Sequence, residues 1–211
     1  MRTYPIHRGR VATFSNLLSV VRLLLAAPIV YLLSFNAAPY NRWAVVLALV
    51  AVATDFFDGH IARRRDTVSD LGKYLDPFAD KVLVGALAVY LAFYRGNMPD
   101  WFAVLIVSKD LLIVIGGSVL MARGVVGQAE GPGKYTVCIV IVVIVAYMLN
   151  LDTVGRWAIL PAILLALYST YFYYLKFLRL LEPEAGLVLR AVLPGTLTLA
   201  AVTALALALS R

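Results

Sequence analysis

Long apolar runs separated by short, polar, turn-rich patches dominate this chain. A helix needs about 20 apolar residues to cross the hydrocarbon core of a bilayer, and most of the runs approach that length. The pattern predicts six membrane-spanning helices, near residues 15–35, 40–59, 70–94, 101–122, 135–151 and 157–177. A further apolar stretch, about 187–210, contains Pro194-Gly195, which weakens a helix. It predicts either a seventh span or a re-entrant or interfacial helix.

The composition supports a membrane protein. Of 211 residues, 62% are hydrophobic and 15% are charged, and the mean hydropathy is +0.86. A soluble domain is about half apolar and roughly a quarter charged, so too little polar material remains here for a water-facing shell. We therefore predict an all-α integral membrane protein, a six-transmembrane-helix bundle with the C-terminal hydrophobic segment added. It forms a single membrane domain over 1–211, with its core at about 11–182. The lone Cys138, inside an apolar run, predicts a small core residue.

The net charge of +7 is distributed in a way that indicates an orientation. Basic residues concentrate before the first predicted span, after the second, around the 123–134 loop and after the sixth: Arg2, Arg8, Arg10, Arg63, Arg64, Arg65, Arg123, Lys134, Lys176, Arg179 and Arg190. By the positive-inside rule, the N-terminus and the loops at 60–70 and 123–134 face the cytoplasm of a multi-pass protein in the cell membrane. No soluble region concentrates the charge, so nucleic acid is not expected as a partner.

Four aspartates stand at the cytoplasmic ends of the second and third predicted spans. Asp55 and Asp58 are three residues apart and share a helix face; Asp76 and Asp80 are four apart and share a face of the next helix. The polar connector between them, about 64–70, is short, so the two helices are expected to be antiparallel neighbours. Four carboxylates can then converge on one site.

Acidic side chains in a membrane need partners, because an isolated carboxylate costs several kcal/mol there. Two divalent cations would balance the charge of four, and oxygen ligands suit Mg²⁺ or Mn²⁺. Such a pair of metal ions can grip a diphosphate. Gly59, Ala62 and Gly72 lie beside the aspartates, and their small size lets a nucleotide or diphosphate approach the backbone. The alternative is that they serve helix packing alone.

These residues match the motif D-x2-D-G-x2-A-R-x8-G-x3-D-x3-D of the CDP-alcohol phosphatidyltransferase family at all eight fixed positions. The matching residues are Asp55, Asp58, Gly59, Ala62, Arg63, Gly72, Asp76 and Asp80. The resemblance covers the first six spans. It implies a six-helix membrane core, a homodimer, and a cytoplasm-facing cavity in which CDP-diacylglycerol meets an alcohol.

The resemblance also implies a role for each motif residue. Asp55, Asp58 and Asp76 would be metal ligands, and Asp80 would be both a ligand of the second metal and the general base. The CDP site would be lined by Gly59, Ala62, Arg63 and Gly72. The acceptor hydroxyl would attack the phosphorus that bears the lipid, and CMP would leave.

A secondary match lies in the first predicted span, where Ser15-Asn-Leu-Leu-Ser-Val-Val-Arg22 resembles the start of the first helix in this family. It adds Asn16 and Arg22 to the expected substrate-binding residues. Arg22 lies in an apolar run and needs an anion, for which a substrate phosphate is one candidate. The alternative is that its side chain extends to the cytoplasmic interface.

The run Leu75-Asp-Pro-Phe-Ala-Asp-Lys81 resembles the phosphatidylglycerophosphate synthases of the family, which favours glycerol 3-phosphate as the acceptor. Three lysines, Lys81, Lys109 and Lys134, are candidates for binding its phosphate. Lys109 and Asp110 stand where an Arg-Glu pair is common in those synthases, and a buried ion pair is the alternative role. The sequence around Lys109 also resembles cardiolipin synthases, so a cardiolipin synthase-type or inositol-phosphate-type acceptor remains open.

Two other protein classes use membrane aspartates. Ion- or proton-coupled transporters relay cations through them, often in repeated halves. Membrane prenyltransferases bind diphosphate and Mg²⁺ through Asp-rich motifs. Here the aspartates cluster within about twenty-five residues and have no counterpart in the second half of the chain, which favours the phosphatidyltransferase.

Overall fold

A computed structural model describes the backbone of residues 14–65, 70–122 and 131–180, and the side chains of 18–54, 79, 81–115 and 133–172. Every regular element in these residues is helical, which confirms the all-α class. The α-helices there are α1 Phe14–Ser34, α2 Ala38–Arg65, α3 Asp70–Val89, α4 Asp100–Ala122, α5 Gly131–Met148 and α6 Asp152–Leu180. A π-helical segment, Tyr90–Tyr94, follows α3 directly.

The helices follow the predicted apolar runs. The ends of α1 and α4 lie within one residue of the predicted bounds, and the predicted span at 70–94 corresponds to α3 plus the π-helix. The largest differences are in α2, which continues past residue 59 to Arg65, and in α6, which begins five residues early at Asp152. The stretch at 187–210 lies outside the described residues, so its structure remains a prediction.

Among the residues that the structure describes, fewer helices meet the length and hydropathy needed to span a membrane than the six spans that the sequence predicts. Within the described parts of the chain, one helical segment, Asp152–Phe172 with 21 residues, is both long and apolar enough to cross a membrane. Shorter apolar helices accompany it, at Leu18–Ser34, Ala38–Thr54, Lys81–Tyr94 and Gly133–Met148. Six helices are therefore observed in the described residues, whereas six spans remain a prediction.

Contacts between residues divide the chain into two compact units, Met1–Tyr90 and Leu91–Arg211. In the first unit, α1 packs against both α2 and α3. In the second unit, α5 and α6 form an antiparallel hairpin. The prediction of a single membrane domain is not tested by this division.

Small residues of α2 are buried in the core of the first unit. The face is buried at three alanines three or four residues apart: Ala44, Ala48 and Ala51. Buried Ile29 and Leu33 of α1 belong to the same core. Because small side chains let helix backbones approach closely, this spacing favours tight packing even where no water is available to drive apolar side chains together.

A residue in the left-handed backbone conformation follows α5 and begins the turn between α5 and α6. Asn150 has a φ of 58°, and its N–H donates to the Tyr147 carbonyl at 3.2 Å. The Leu151 N–H donates to the Ala146 carbonyl at 2.9 Å. This pair of bonds is the Schellman motif, and asparagine tolerates the left-handed conformation better than most residues. The turn therefore stops α5 and reverses the chain into α6.

The turn before α4 is bonded to the same hairpin end. The Arg95 Nη1 donates to the Met148 carbonyl at 3.3 Å, and the Asn97 Nδ2 donates to the Tyr147 carbonyl at 2.9 Å. The Asn97 Nδ2 also lies 3.2 Å from the Asp152 Oδ1. Carbonyls in the last turn of a helix lack the usual intrahelical partners, so Arg95 caps the Met148 carbonyl and Asn97 adds a second donor to the Tyr147 carbonyl.

The prediction for Cys138 is wrong, because its side chain is exposed on α5. Residues 137–147 are almost entirely apolar, so the hydrophobic pattern of this helix does not distinguish a core face from an outer face. Its neighbour Val137 and the nearby Val142 are exposed as well. In such a helix, burial depends on packing that the sequence pattern does not reveal.

We expect Gly155→Ala to destabilise the hairpin. An added Cβ would lie 2.7 Å from a ring carbon of Tyr147, whose side chain is fully buried. Overpacking of this kind costs about 1–3 kcal/mol. The midpoint of thermal unfolding in detergent should therefore fall, while Thr153→Ala, at an exposed position of α6, should leave it unchanged. Equal midpoints for the two variants would contradict this account.

Candidate active site

The eight motif positions lie on two consecutive helices of the first unit. Asp55 and Asp58 are on α2, and Asp76 and Asp80 are on α3. Each pair is therefore separated by about one helical turn, as the spacing predicts. The aspartate side chains and the connector at 66–69 lie outside the described residues, so the convergence of four carboxylates remains a prediction.

One face of α1, the helix that packs on both motif helices, changes from polar to apolar along its length. Ser19 and Arg22 are buried towards its start, and Ile29 and Leu33 are buried towards its end. All four follow helical spacing, so they belong to one stripe. The buried face of α1 is thus polar in its half nearer the chain start.

Arg22 is 3% exposed, and its Nε donates to the Ala51 carbonyl of α2 at 3.3 Å. Burial rules out the alternative in which this side chain extends to water; contact with a substrate phosphate is untested. The Thr54 Oγ1 donates to the same carbonyl at 2.8 Å. Ala51 precedes Asp55 by four residues, so two side chains contact the carbonyl one turn before the first motif aspartate.

Sequence reasoning missed Ser19, Ala51 and Thr54. Ser19 carried a usable signal, since it lies three residues before Arg22 and therefore on the same helix face. Thr54 carried a weaker one, because threonine in a helix often bonds the carbonyl one turn back. Nothing in the sequence marks Ala51, because its role belongs to the main chain.

The Lys109–Asp110 ion pair is present on α4. The Lys109 Nζ lies 2.7 Å from the Asp110 Oδ1, and the two side chains are 10% and 13% exposed. The pairing expected as the alternative role is therefore observed. Contact of Lys109 with an acceptor stays a prediction.

The other predicted acceptor lysines differ in exposure. Lys81 is half-buried and directly follows Asp80 on α3, while Lys134 is exposed near the start of α5. The predicted CDP-site positions have a helical backbone, with side chains outside the described set: Asn16, Gly59, Ala62, Arg63 and Gly72.

Among the described side chains, no three His, Cys, Asp or Glu residues come together. The side chains of the predicted ligands Asp55, Asp58, Asp76 and Asp80 lie outside the described set, so the two-metal site remains a prediction.

Comparison with known proteins adds to this geometry. A sequence model of the CDP-alcohol phosphatidyltransferase family matches residues 12–172. The chain is 32% identical over 149 residues to a probable phosphatidylglycerophosphate synthase of Mycobacterium tuberculosis, covering 69% of this chain and 70% of that protein. It is 34% identical over 98 residues to a CDP-diacylglycerol–glycerol-3-phosphate 3-phosphatidyltransferase of Rickettsia typhi, covering 46% and 54%. It is 27% identical over 122 residues to a cardiolipin synthase (CMP-forming) of Streptomyces coelicolor, covering 56% of each. The chain belongs to the CDP-alcohol phosphatidyltransferase family.

Proposed function

We propose that this chain transfers the phosphatidyl group of CDP-diacylglycerol to glycerol 3-phosphate, giving phosphatidylglycerophosphate and CMP. The observation that carries the proposal is a complete eight-position motif on two consecutive helices that both pack against α1. The family match over residues 12–172 argues against the transporter and prenyltransferase alternatives.

Each motif aspartate has a chemical task in this proposal. The donor set fits a hard divalent cation, since it offers only carboxylate oxygens. Asp55, Asp58, Asp76 and Asp80 would hold two ions, Mg²⁺ or Mn²⁺, and the chemistry supplied by bound cations is neutralisation of the diphosphate charge. Gly59, Ala62, Arg63 and Gly72, with Asn16 on α1, would line the space for the CDP group.

The reaction makes one P–O bond and breaks another. Asp80 accepts the proton of the acceptor hydroxyl, whose oxygen bonds to the phosphorus that bears the diacylglycerol. The bond from that phosphorus to the oxygen bridging to CMP breaks, and CMP leaves with the electron pair. Phosphoryl transfer of this type depends on positioning and charge stabilisation, so one base and a set of ligands suffice.

Two helices support a multi-pass membrane position. Trp43 of α2 and Trp157 of α6 are 63% and 77% exposed in the second turns of their helices. Each helix carries basic residues towards its other end, Arg63 in α2 and Lys176 in α6. Twenty and nineteen residues separate the members of each pair, which is about 30 Å along a helix, the thickness of a hydrocarbon core.

Each tryptophan end also carries one arginine, Arg42 or Arg156, but basic residues are more numerous at the other end of each helix. This distribution matches an interface anchor at one end and a cytoplasmic end at the other. We therefore propose a multi-pass protein of the cell membrane with six spans, whose N-terminus and active site face the cytoplasm. A homodimer is proposed from the family resemblance alone.

The acceptor is proposed from charge and from the named relatives. Two of them are named for phosphatidylglycerophosphate or glycerol 3-phosphate chemistry. The exposed Lys134 fits a water-soluble phosphate, because its ammonium group is reachable from solvent. Phosphatidylglycerol is the second candidate acceptor, since another relative is named a cardiolipin synthase.

An acceptor panel tests the proposed function. Purified protein with CDP-diacylglycerol and Mg²⁺ or Mn²⁺ should release CMP with glycerol 3-phosphate, and far less with phosphatidylglycerol, inositol phosphate or serine. Asp80→Asn should abolish release while the CDP-lipid still binds, because the amide cannot accept the proton. Asp100→Asn, at the first residue of α4, is the matched control and should stay active. Absence of CMP with every acceptor would refute the proposal.

Lys134→Ala should raise the KM for glycerol 3-phosphate by about tenfold, the value of one lost charge-assisted hydrogen bond. The KM for CDP-diacylglycerol should not change, because Lys134 is proposed to contact only the acceptor. Arg42→Ala, which removes another exposed cation, should leave both values unaltered. An unchanged KM in Lys134→Ala would remove the main structural support for a soluble phosphate acceptor.

Lys109→Met should lower stability more than replacement of both partners does. The single change removes the ammonium group that lies 2.7 Å from the largely buried Asp110 carboxylate, which typically costs about 3 kcal/mol or more. The double variant Lys109→Met/Asp110→Leu should recover much of the unfolding midpoint. A folded double variant with a raised KM for glycerol 3-phosphate alone would support acceptor binding by Lys109; a double variant no more stable than the single one would contradict the ion-pair account.

A further inference from the structure

We propose that Arg22 is a positioning residue for the first metal-binding turn of α2. Through its bond to the Ala51 carbonyl, Arg22 fixes the backbone that precedes Asp55. The inference rests on the proposed function, because the predicted metal ligand Asp55 gives this turn its role. It differs from the expectation that Arg22 binds a substrate phosphate, and the two roles make different demands on the side chain.

The position of the accepting carbonyl carries the argument. Arg95 bonds the carbonyl of Met148, the last residue of α5, where no helical N–H is available. Ala51 lies inside α2, fourteen residues before the helix ends at Arg65. Its carbonyl belongs to the helical ladder, whose partner is the N–H of residue 55. Helix capping therefore explains the Arg95 bond and does not explain the Arg22 bond.

A second donor converges on the same atom. The Thr54 Oγ1 lies 2.8 Å from the Ala51 oxygen, so this carbonyl receives two side-chain donors in addition to its place in the helix. Threonine bonding one turn back commonly bends a helix slightly. The geometry of the turn from 51 to 55 is thus constrained by both an intrahelical and a cross-helix contact.

The chemistry of the contact suits a rigid tie. Arg22 is 3% exposed, so water competes little for its Nε, and a hydrogen bond from a charged donor is stronger than one between neutral groups. The bond joins α1 to α2, two helices that also pack against each other. Groups that orient metal ligands usually act on the ligand side chain; here the contact acts on the backbone that carries the ligand.

Three substitutions separate positioning from charge. Arg22→Gln keeps a nitrogen donor at the ε position and removes the charge. Arg22→Lys keeps the charge and moves its nitrogen one atom further out. Arg22→Met ends at the ε position, as Gln does, and has neither the donor nor the charge. Ser34→Ala is the matched control, because it removes an exposed side-chain bond to the Tyr31 carbonyl at the other end of α1.

Two measurements read the effect without turnover. Hydrogen–deuterium exchange of the peptide covering residues 51–58 reports on the backbone, and electron paramagnetic resonance of free Mn²⁺ reports on metal binding. We expect Arg22→Met to speed exchange by about fivefold to tenfold, the worth of one hydrogen bond. It should also weaken Mn²⁺ binding by about tenfold or more. Arg22→Gln should restore most of both, and Ser34→Ala should change neither.

The comparison of Arg22→Gln with Arg22→Lys distinguishes positioning from charge even if Arg22→Met does not fold. Closer recovery by Gln supports positioning. Closer recovery by Lys shows that charge matters and overturns the inference, as does an Arg22→Met protein that behaves like the wild type. A wild-type protein that neither binds Mn²⁺ nor releases CMP would refute the proposed function instead, and the exchange data would still decide the role of Arg22.

Discussion

Charged groups inside an apolar protein must meet a polar partner or one of opposite charge, and this constraint organises what the structure shows. Removing a charged side chain from water costs free energy, whereas removing an apolar one is favourable. Few of the charged residues, which make up 15% of the chain, can therefore be buried without a partner. Arg22 donates to the Ala51 carbonyl, Lys109 pairs with Asp110, and Arg95 donates to the Met148 carbonyl. In the proposed chemistry, the four motif aspartates would meet the same requirement through bound cations.

The same constraint divides the buried face of α1. Ser19 and Arg22 can be buried only where other polar groups lie, and Ile29 and Leu33 only where none do. The buried polar part of α1 therefore contacts the turn of α2 that leads into the motif, through Arg22 and Ala51. The buried apolar part lies further along α1. The buried polar residues near the motif and the buried apolar residues of the core therefore occupy successive parts of one face of α1. A change in the register of α1 would disturb both.

Much of the fold follows from the sequence, because apolar runs and turn-rich patches specify helix bounds directly. The predicted ends of α1 and α4 are accurate, and the motif spacing places its aspartates one turn apart on α2 and α3, as observed. The exposure of Cys138 and the Arg22–Ala51 bond could not be predicted in this way. The first depends on which side of an apolar helix meets a neighbour, and the second on a main-chain atom that has no sequence signal.

The level of the Arg22 contact along α2 distinguishes it from an interface anchor. Ala51 lies within the apolar helix Ala38–Thr54, three residues before its end and four residues before Asp55. The bond from Arg22 therefore meets α2 in the last apolar turn before the motif. Arg22 is therefore buried against a specific acceptor one turn from the motif, and that location is better explained by the proposed chemistry of the site than by anchoring to an interface.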